Sequence, residues 1–203
     1  MVAMHDIHAT FAHPARNVGA FGIQPSMRVA DFGAGSGAYV LAIAEALSGS
    51  GTVYAVDVQK DLLRRIKNEA TQRGYTNIDV IWADLETPNA SKLASGKLDI
   101  VLISNLLFQL DDKKPPFTEA RRILKPAGRL IVIDWSESFG GLGPIKDEVV
   151  TKEQAVTLAR ASGFELVKEF STGAHHYGLI FRSKGGDPNA RSIRVQSVAT
   201  AGV

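Results

Sequence analysis

The chain has 203 residues and is 45% hydrophobic, which is enough to build one buried core but short for two full domains. It has no uninterrupted apolar run near the roughly 18 residues that a membrane span needs, and its start lacks a basic stretch followed by an apolar one. We therefore expect a cytoplasmic protein. The absence of cysteine excludes disulfides, thiolate metal sites and a cysteine nucleophile.

The formal charge is close to balanced. The sequence carries 23 basic and 21 acidic residues, a net charge of +2, and all of this excess arises from residues 184–203. Residues 1–183 are therefore nearly neutral. They lack the overall positive charge that is typical of proteins that bind long stretches of nucleic acid. A small-molecule partner is therefore favoured, while a nucleic acid or a protein stays open as an alternative.

Strand-like and helix-like segments alternate along most of the chain, which is typical of α/β proteins with a parallel sheet. Apolar runs bounded by glycine or proline predict strands over 28–33, 52–57, 78–82, 98–104 and 129–134. The same reasoning predicts helices over 39–47 and 60–73, from Pro115 to a stop at 126–128, and from a capping box at Thr151 to about Gly163.

The pattern changes near the end of the chain. Residues 165–170 and 176–182 indicate two strands joined by a short linker, so an antiparallel pair completes the parallel sheet. Residues 184–203 are rich in small and polar side chains, and we expect a flexible tail there. We predict an N-terminal segment over 1–24 and a single α/β domain over 25–183.

A glycine-rich turn follows the first strand. Asp31 precedes Gly33, Gly35 and Gly37, where the chain passes from strand to helix. Glycines at such a turn allow positive φ angles and the close approach of a ligand, and the helix start offers free amide donors. The stretch also satisfies the dinucleotide pattern G-x-G-x-x-A, so a binding site for a nicotinamide or flavin cofactor is an alternative to a site for another cofactor.

Further polar residues follow the next three strands. Asp57 ends the second strand, 24 residues after Gly33, where a carboxylate can accept hydrogen bonds from two ribose hydroxyls. Asp84 follows the third strand, and Ser104 and Asn105 follow the fourth. Because the carboxyl ends of parallel strands meet at one edge of a sheet, we expect these residues to line one crevice.

With these elements in register, the sequence resembles the class I methyltransferases that use S-adenosylmethionine (SAM). Within that class, the sequence most resembles the small-molecule group that contains the ubiquinone/menaquinone-biosynthesis-type enzymes. The resemblance spans about residues 16–182 and rests on VADFGAGSG, VYAVDV, WADLE, LDIVLISNLL, EARRILKPAGRLIVIDW and the terminal hairpin. It implies a Rossmann-like three-layer sandwich, with a seven-stranded mixed sheet whose last strand is antiparallel.

The resemblance also implies roles for individual residues in binding SAM. Gly33, Gly35 and Gly37 would line the methionine moiety and Asp31 would orient its amino group. Asp57 would hold the ribose and Val58 would flank the adenine. Asp84 and Leu85 would recognise the adenine. Ser104 or Asn105 would close the methionine side.

Two departures from relatives narrow the expected acceptor. Ser104 is followed by Asn-Leu-Leu, without the Pro-Pro-aromatic motif of amino methyltransferases that act on adenine or glutamine. Arsenic-methylating relatives depend on cysteines, which are absent here. The remaining alternatives are an NAD-dependent oxidoreductase on the same glycine turn and a noncatalytic SAM-binding module.

Histidines are the candidates for a catalytic base. We expect no metal site at His5, His8 and His13, because no tightly spaced fourth ligand accompanies them. The N-terminal segment commonly folds over the cofactor as a lid in the resembling family, which would bring His8 or His13 to the acceptor. His175, beside the last strand, is the third candidate base. The loop over 136–150 follows the fifth strand at the ligand edge and is predicted to face the substrate.

Overall fold

A computed structural model describes residues 13–141 and 143–184. Over these residues the chain forms the strands β1 (Arg28–Phe32), β2 (Thr52–Asp57), β3 (Ile78–Trp82), β4 (Leu98–Ser104), β5 (Leu124–Trp135), β6 (Phe164–Phe170) and β7 (His176–Ser183). The α-helices are α1 (Pro14–Val18), α2 (Ala38–Ala46), α3 (Lys60–Gln72), α4 (Lys114–Ile123) and α5 (Lys152–Ala161). Short 3₁₀ helices cover Gly19–Phe21, Leu107–Gln109 and Lys146–Glu148.

The strands form one seven-stranded sheet in the order β3-β2-β1-β4-β5-β7-β6. Pairings among β1 to β5 are parallel, whereas β7 runs antiparallel to both of its neighbours, β5 and β6. The predicted mixed sheet with a reversed last strand is confirmed. The order in which successive strands are added to the sheet reverses between β1 and β4, and α/β sheets bind ligands in the crevice outside the carboxyl ends of such strands.

Helices cover both faces of the sheet and produce a three-layer sandwich. On one face Ile100 and Leu102 of β4 pack in a cluster with residues of α2 and α3. On the other face Val101 and Ile103 of β4 pack with residues of α4 and α5. Because alternate residues of a strand point to opposite faces, a strand buried on both sides is apolar in its centre, as β4 is from Ile100 to Ile103.

The N-terminal segment contributes to this core from α1 onward. Val18 and Phe21 are buried in the cluster that contains α2 and α3, and the Phe21 ring stacks on Tyr39 at 6.1 Å between centroids. Residues 1–12, which contain His5 and His8, and residues 185–203 of the predicted tail lie outside the described residues. The role of residues 1–24 as a lid and the flexibility of the tail stay predictions.

The start of β5 differs from its predicted position. We expected residues 126–128 to end a helix and a strand to begin at Arg129. Instead Leu124 already pairs with Leu98, and the register shifts before Arg129 pairs with Ile100. A β-bulge absorbs the extra residues, and Gly128 fits there because a Cβ would lie 3.1 Å from the Leu98 carbonyl oxygen.

Among the described helices, none combines the length and the hydropathy that crossing a bilayer would require.

The capping box of α5 is formed as predicted. Gln154 N donates to Thr151 Oγ1 at 3.3 Å, and Thr151 N donates to the Gln154 side-chain oxygen at 2.8 Å. We expect Thr151→Ala to lower the free energy of unfolding by about 1 kcal/mol, since it leaves a helix-start amide without its partner. Urea denaturation measures this change.

The matched control is Thr157→Ala, on an exposed position inside the same helix. Alanine has the higher helix propensity, so this control should leave stability unchanged or raise it slightly. Equal losses in both variants would contradict the capping role.

Candidate functional site

The glycine turn lies at the carboxyl end of β1, over the crevice between β1 and β4. Gly33, Gly35 and Gly37 all have positive φ, at 73°, 52° and 83°. A Cβ on Gly33 would lie 2.8 Å from Leu106 Cδ1, and one on Gly37 would lie 2.6 Å from Ile66 Cγ1. At Gly35 the nearest heavy atom would be a backbone oxygen 3.8 Å away. The first and third glycines therefore allow close packing, whereas the middle one borders open space among the described residues.

The Asp57 carboxylate fixes this turn to β2. Asp57 Oδ2 accepts a hydrogen bond from Gly35 N at 2.9 Å, and Oδ1 accepts one from Gln59 N at 2.8 Å. The Asp57 side chain is buried, and each oxygen keeps a second lone pair for another donor. The same carboxylate can therefore hold the turn and accept hydrogen bonds from a bound ribose.

Asp31 is a second buried carboxylate in the same crevice. Within the described part of the chain, Asp31 Oδ1 has no hydrogen-bond partner. Burial, and then the nearby charge of Asp57, raise the pKa of Asp31 to about 7. A buried carboxyl group without a partner is costly, and a cation placed beside it would remove that cost.

The predicted adenine residues flank the end of β3. Asp84 is exposed and accepts a hydrogen bond from Glu86 N at 3.0 Å, which shapes the turn after β3. Leu85 is buried in the core, whereas Val58 is 58% exposed. Trp82 is 59% exposed, and its Nε1 donates to the Val58 carbonyl oxygen at 2.9 Å. Val58 and Trp82 therefore expose apolar surface beside Asp57.

Ser104 and Asn105 lie where predicted, at the end of β4. Ser104 is buried, and Asn105 has a positive φ of 50°. Asn105 N donates to the Ile133 carbonyl oxygen at 2.9 Å, and its Oδ1 has no hydrogen-bond partner within residues 13–141 and 143–184. These residues place two further polar side chains at the crevice.

The structure adds four polar residues that sequence reasoning missed: Asn17, Tyr39, Asp134 and Thr172. Tyr39 could have been suspected because it follows the glycine turn directly. Asp134 could have been suspected because it is an acid near the end of an apolar strand. Asn17 and Thr172 meet across 155 residues, so no local sequence pattern marks them.

Asp134 supports the loop that follows β4. Its Oδ2 accepts from Leu107 N at 2.9 Å, and its Oδ1 accepts from Trp135 N at 2.9 Å. Burial raises the pKa of Asp134 to about 6, although these backbone hydrogen bonds act in the opposite direction. The carboxylate thereby fixes the polypeptide immediately after Asn105.

The candidate histidines lie in different places. His13 is exposed and precedes α1, and its carbonyl oxygen accepts from Asn17 N at 3.0 Å. His175 Nδ1 lies 2.6 Å from Glu137 Oε1, and its ring stacks on Phe139 with 3.8 Å between centroids. His8 is outside the described residues. In the part of the chain that is described, no three His, Asp or Glu side chains are grouped to hold a metal ion.

A groove of about 980 Å³ lies between the 3₁₀ helices Leu107–Gln109 and Lys146–Glu148 and the helix α5. Its lining includes residues from the loop over 136–150 that was predicted to face a substrate. The apolar members of the lining are Phe108, Leu110, Val149, Val150 and Leu158, and the acidic members are Asp111, Asp147, Glu148 and Glu153. The volume is within the range of small-molecule sites.

Comparison with known proteins identifies similar sequences. A ubiquinone/menaquinone biosynthesis C-methyltransferase UbiE from Bordetella avium is 28% identical over 149 residues, which cover 71% of this chain and 56% of that protein. The aklanonic acid methyltransferase DauC from a Streptomyces species is 31% identical over 103 residues, covering 51% of this chain and 46% of that protein. This chain thus spans about half the length of these relatives.

Solved structures share the fold. A SAM-dependent methyltransferase from Aquifex aeolicus superposes with a TM-score of 0.77 at 21% identity, covering 88% of this chain and 93% of that one. The [4+2]-cyclase SpnF superposes with a TM-score of 0.70 at 16% identity, covering 84% of this chain and 80% of that one. At these sequence identities, the structural similarity establishes the fold of this chain alone.

The family model described as "Methyltransferase domain" matches residues 23–180, which is more than three quarters of the chain. That span includes the glycine turn, Asp31, Asp57 and the whole sheet except the end of β7. The chain therefore belongs to the methyltransferase domain family and has the fold of a class I SAM-dependent methyltransferase.

Proposed function

We propose that this chain transfers a methyl group from SAM to a small-molecule acceptor. The observation that carries the proposal is the buried carboxyl group of Asp31, whose Oδ1 has no hydrogen-bond partner among the described residues, beside a glycine turn held by a second carboxylate. The methionine end of SAM brings an ammonium group that can pair with Asp31. In this proposal Asp57 holds the ribose, Val58 flanks the adenine, and Asp84 and Leu85 recognise that base.

The same carboxylates argue against the dinucleotide alternative. A dinucleotide bound at a glycine turn places its anionic pyrophosphate near the start of the following helix. Here Asp31 and Asp57 are both buried at that turn and raise the local negative charge. A cationic ligand head therefore suits the crevice better than an anionic one.

The transfer itself needs little chemistry from the protein. SAM supplies a methyl group on a sulfonium that is already activated, so the new bond to the acceptor forms as the carbon–sulfur bond breaks. The residues contribute alignment and exclusion of water, and such alignment is worth on the order of 7–11 kcal/mol in favourable cases. The crevice between β1 and β4 and the loops after β4 and β5 are the elements that provide it.

The size and lining of the groove beside α5 support a small-molecule acceptor, as do the small-molecule names of the relatives UbiE and DauC. If the acceptor carries a proton that must leave, we propose His175 as the base, because Glu137 beside Nδ1 orients its ring. His8 and His13 stay predictions for this role.

We expect S-adenosylhomocysteine to bind the wild-type protein and Asp57→Ala to weaken this binding at least tenfold, because hydrogen bonds to a charged group are lost. Calorimetric titration measures the affinity. The control is Asp79→Ala, an exposed acid on β3, which should bind as the wild type does. Binding of NAD without binding of S-adenosylhomocysteine would overturn the proposal in favour of an oxidoreductase.

We also expect the affinity for S-adenosylhomocysteine to depend on the ionisation of Asp31. Below its pKa of about 7 the carboxyl group holds a proton, which must leave before the ligand's ammonium group can pair with it. The affinity should therefore fall as the pH decreases from 7.5 to 5.5, by at most tenfold per pH unit. Titrations across this range should show the slope, and Asp31→Asn should abolish it. If the affinity of Asp31→Asn depends on pH as that of the wild type does, the proton that controls binding belongs to another group.

A further inference from the structure

The groove beside α5 begins next to the cofactor crevice. One of its walls is the 3₁₀ helix Leu107–Gln109, which starts two residues after Asn105. Gln109 Nε2 donates to the Asn105 carbonyl oxygen at 2.6 Å, and Leu107 N donates to Asp134 Oδ2 at 2.9 Å. These hydrogen bonds fix the wall to the ends of β4 and β5. A molecule in the groove therefore lies against the segment that follows the polar end of β4.

The lining of the groove combines apolar and charged side chains. Its five apolar members favour a ligand with an apolar body, and its volume of about 980 Å³ leaves room for a small organic molecule. The charged members are four carboxylates and one ammonium group, that of Lys113. Lys113 Nζ donates to the Leu110 carbonyl oxygen at 2.7 Å. The described lining therefore has an excess of negative charge.

The four carboxylates have no counter-ion of their own. Within residues 13–141 and 143–184, none of them forms an ion pair with a lysine, arginine or histidine. Lys152 is next to Glu153 in the sequence, yet its Nζ pairs with Glu169 Oε2 at 3.1 Å. A ligand that brings a positive charge would therefore meet carboxylates that no protein cation neutralises.

The distribution of these carboxylates favours a molecular cation over a metal ion. Asp111 follows the first wall, Asp147 and Glu148 lie in the 3₁₀ helix Lys146–Glu148, and Glu153 lies in the first turn of α5. In the part of the chain that the structure describes, no three of the His, Asp and Glu side chains are grouped to hold one ion. The negative charge thus borders an apolar lining, and an amine attached to an apolar body complements both.

We propose that the groove selects a small acceptor that has an apolar body and a protonated amine. This inference rests on the proposed function, because it names the chemical class of the acceptor at the same site. The apolar lining supplies contact area, and the carboxylates select the sign of the charge. A neutral molecule of the same shape lacks the electrostatic attraction, and an anionic one is repelled.

The experiment compares three probes that share a phenyl ring and a chain of four carbons: 4-phenylbutylamine, 4-phenylbutan-1-ol and 4-phenylbutyrate. Ligand-observed NMR titration measures their affinities in the presence of saturating S-adenosylhomocysteine. We expect the wild type to bind the amine at least about fivefold more tightly than the alcohol, and the carboxylate most weakly. The preference for the amine should shrink as sodium chloride is raised from about 50 mM to about 500 mM, because salt screens exposed charges.

A triple variant tests the carboxylates directly. Asp111→Asn, Asp147→Asn and Glu148→Gln remove three negative charges while keeping the shape of each side chain. We expect the affinity for the amine to fall to nearly that for the alcohol, and the affinity for the alcohol to stay as in the wild type. All three side chains are exposed, so the fold should tolerate the changes. Unchanged binding of S-adenosylhomocysteine verifies that it does.

The matched control removes the same number of negative charges from other surfaces, with Glu45→Gln, Asp79→Asn and Glu165→Gln. None of these residues lines the groove, so the control should keep the preference for the amine. Phe108→Ala removes apolar lining and should weaken binding of the amine and the alcohol alike, which locates both probes in this groove.

The possible failures are distinguishable. Equal affinities of the wild type for the amine and the alcohol, tightest binding of the carboxylate, or no measurable binding of any probe would overturn the acceptor class, while binding of S-adenosylhomocysteine keeps the proposed cofactor. Equal losses of the preference in the two triple variants would overturn its assignment to the groove. A wild-type protein that does not bind S-adenosylhomocysteine would overturn the proposed function and this inference with it.

Discussion

The hydrogen bond from Gly35 N to the Asp57 carboxylate is the interaction on which the site depends. A turn with three positive φ angles has no regular secondary structure to hold it, and this bond joins its middle residue to the end of β2. Gly33 N and Ala34 N add hydrogen bonds to the Val56 carbonyl oxygen at 2.8 and 3.1 Å. The turn is thus fixed to the sheet before any ligand arrives.

Fixing the turn in this way concentrates negative charge at the crevice. Asp57 must be buried to reach Gly35 N, and its charge contributes to the raised pKa of Asp31. Asp134 adds a third buried carboxyl group at the same edge of the sheet, where it holds the loop after β4. Hydrogen-bond donors and cations stabilise ionised carboxyl groups in such surroundings. The burial that fixes the turn therefore also favours a ligand with a cationic group.

The architecture leaves the choice of reaction to the loops. The [4+2]-cyclase SpnF superposes on this chain almost as well as the Aquifex aeolicus methyltransferase does, so the sheet alone does not define a chemistry. What differs among proteins of this fold is the lining above the cofactor. In this chain the segments after β4 and β5 carry the Glu137–His175 pair and part of the lining of the groove beside α5, to which we assign the acceptor.

Several features could be read from the sequence because they are local. The bounds of β2, β3 and β4 and the capping box at Thr151 follow from hydrophobic runs and from residues that act on their own neighbours. The reversed β7 was predicted because a short linker forces two strands to run antiparallel. The start of β5 was predicted wrongly, since Pro126 and Gly128 are usual helix stops and here occupy a bulge that requires β4 as its partner.

The sequence by itself determined the layered sheet, the glycine turn and the acids at the ends of its strands, because strand period and parallel order bring those positions to one edge. Tertiary structure alone decided which glycine borders open space, how Asp57 is bonded and how far the pKa of Asp31 is raised. It also decided the meeting of Asn17, Tyr39 and Thr172. These properties depend on burial and on hydrogen bonds between residues far apart in the chain, and no local pattern encodes either of them.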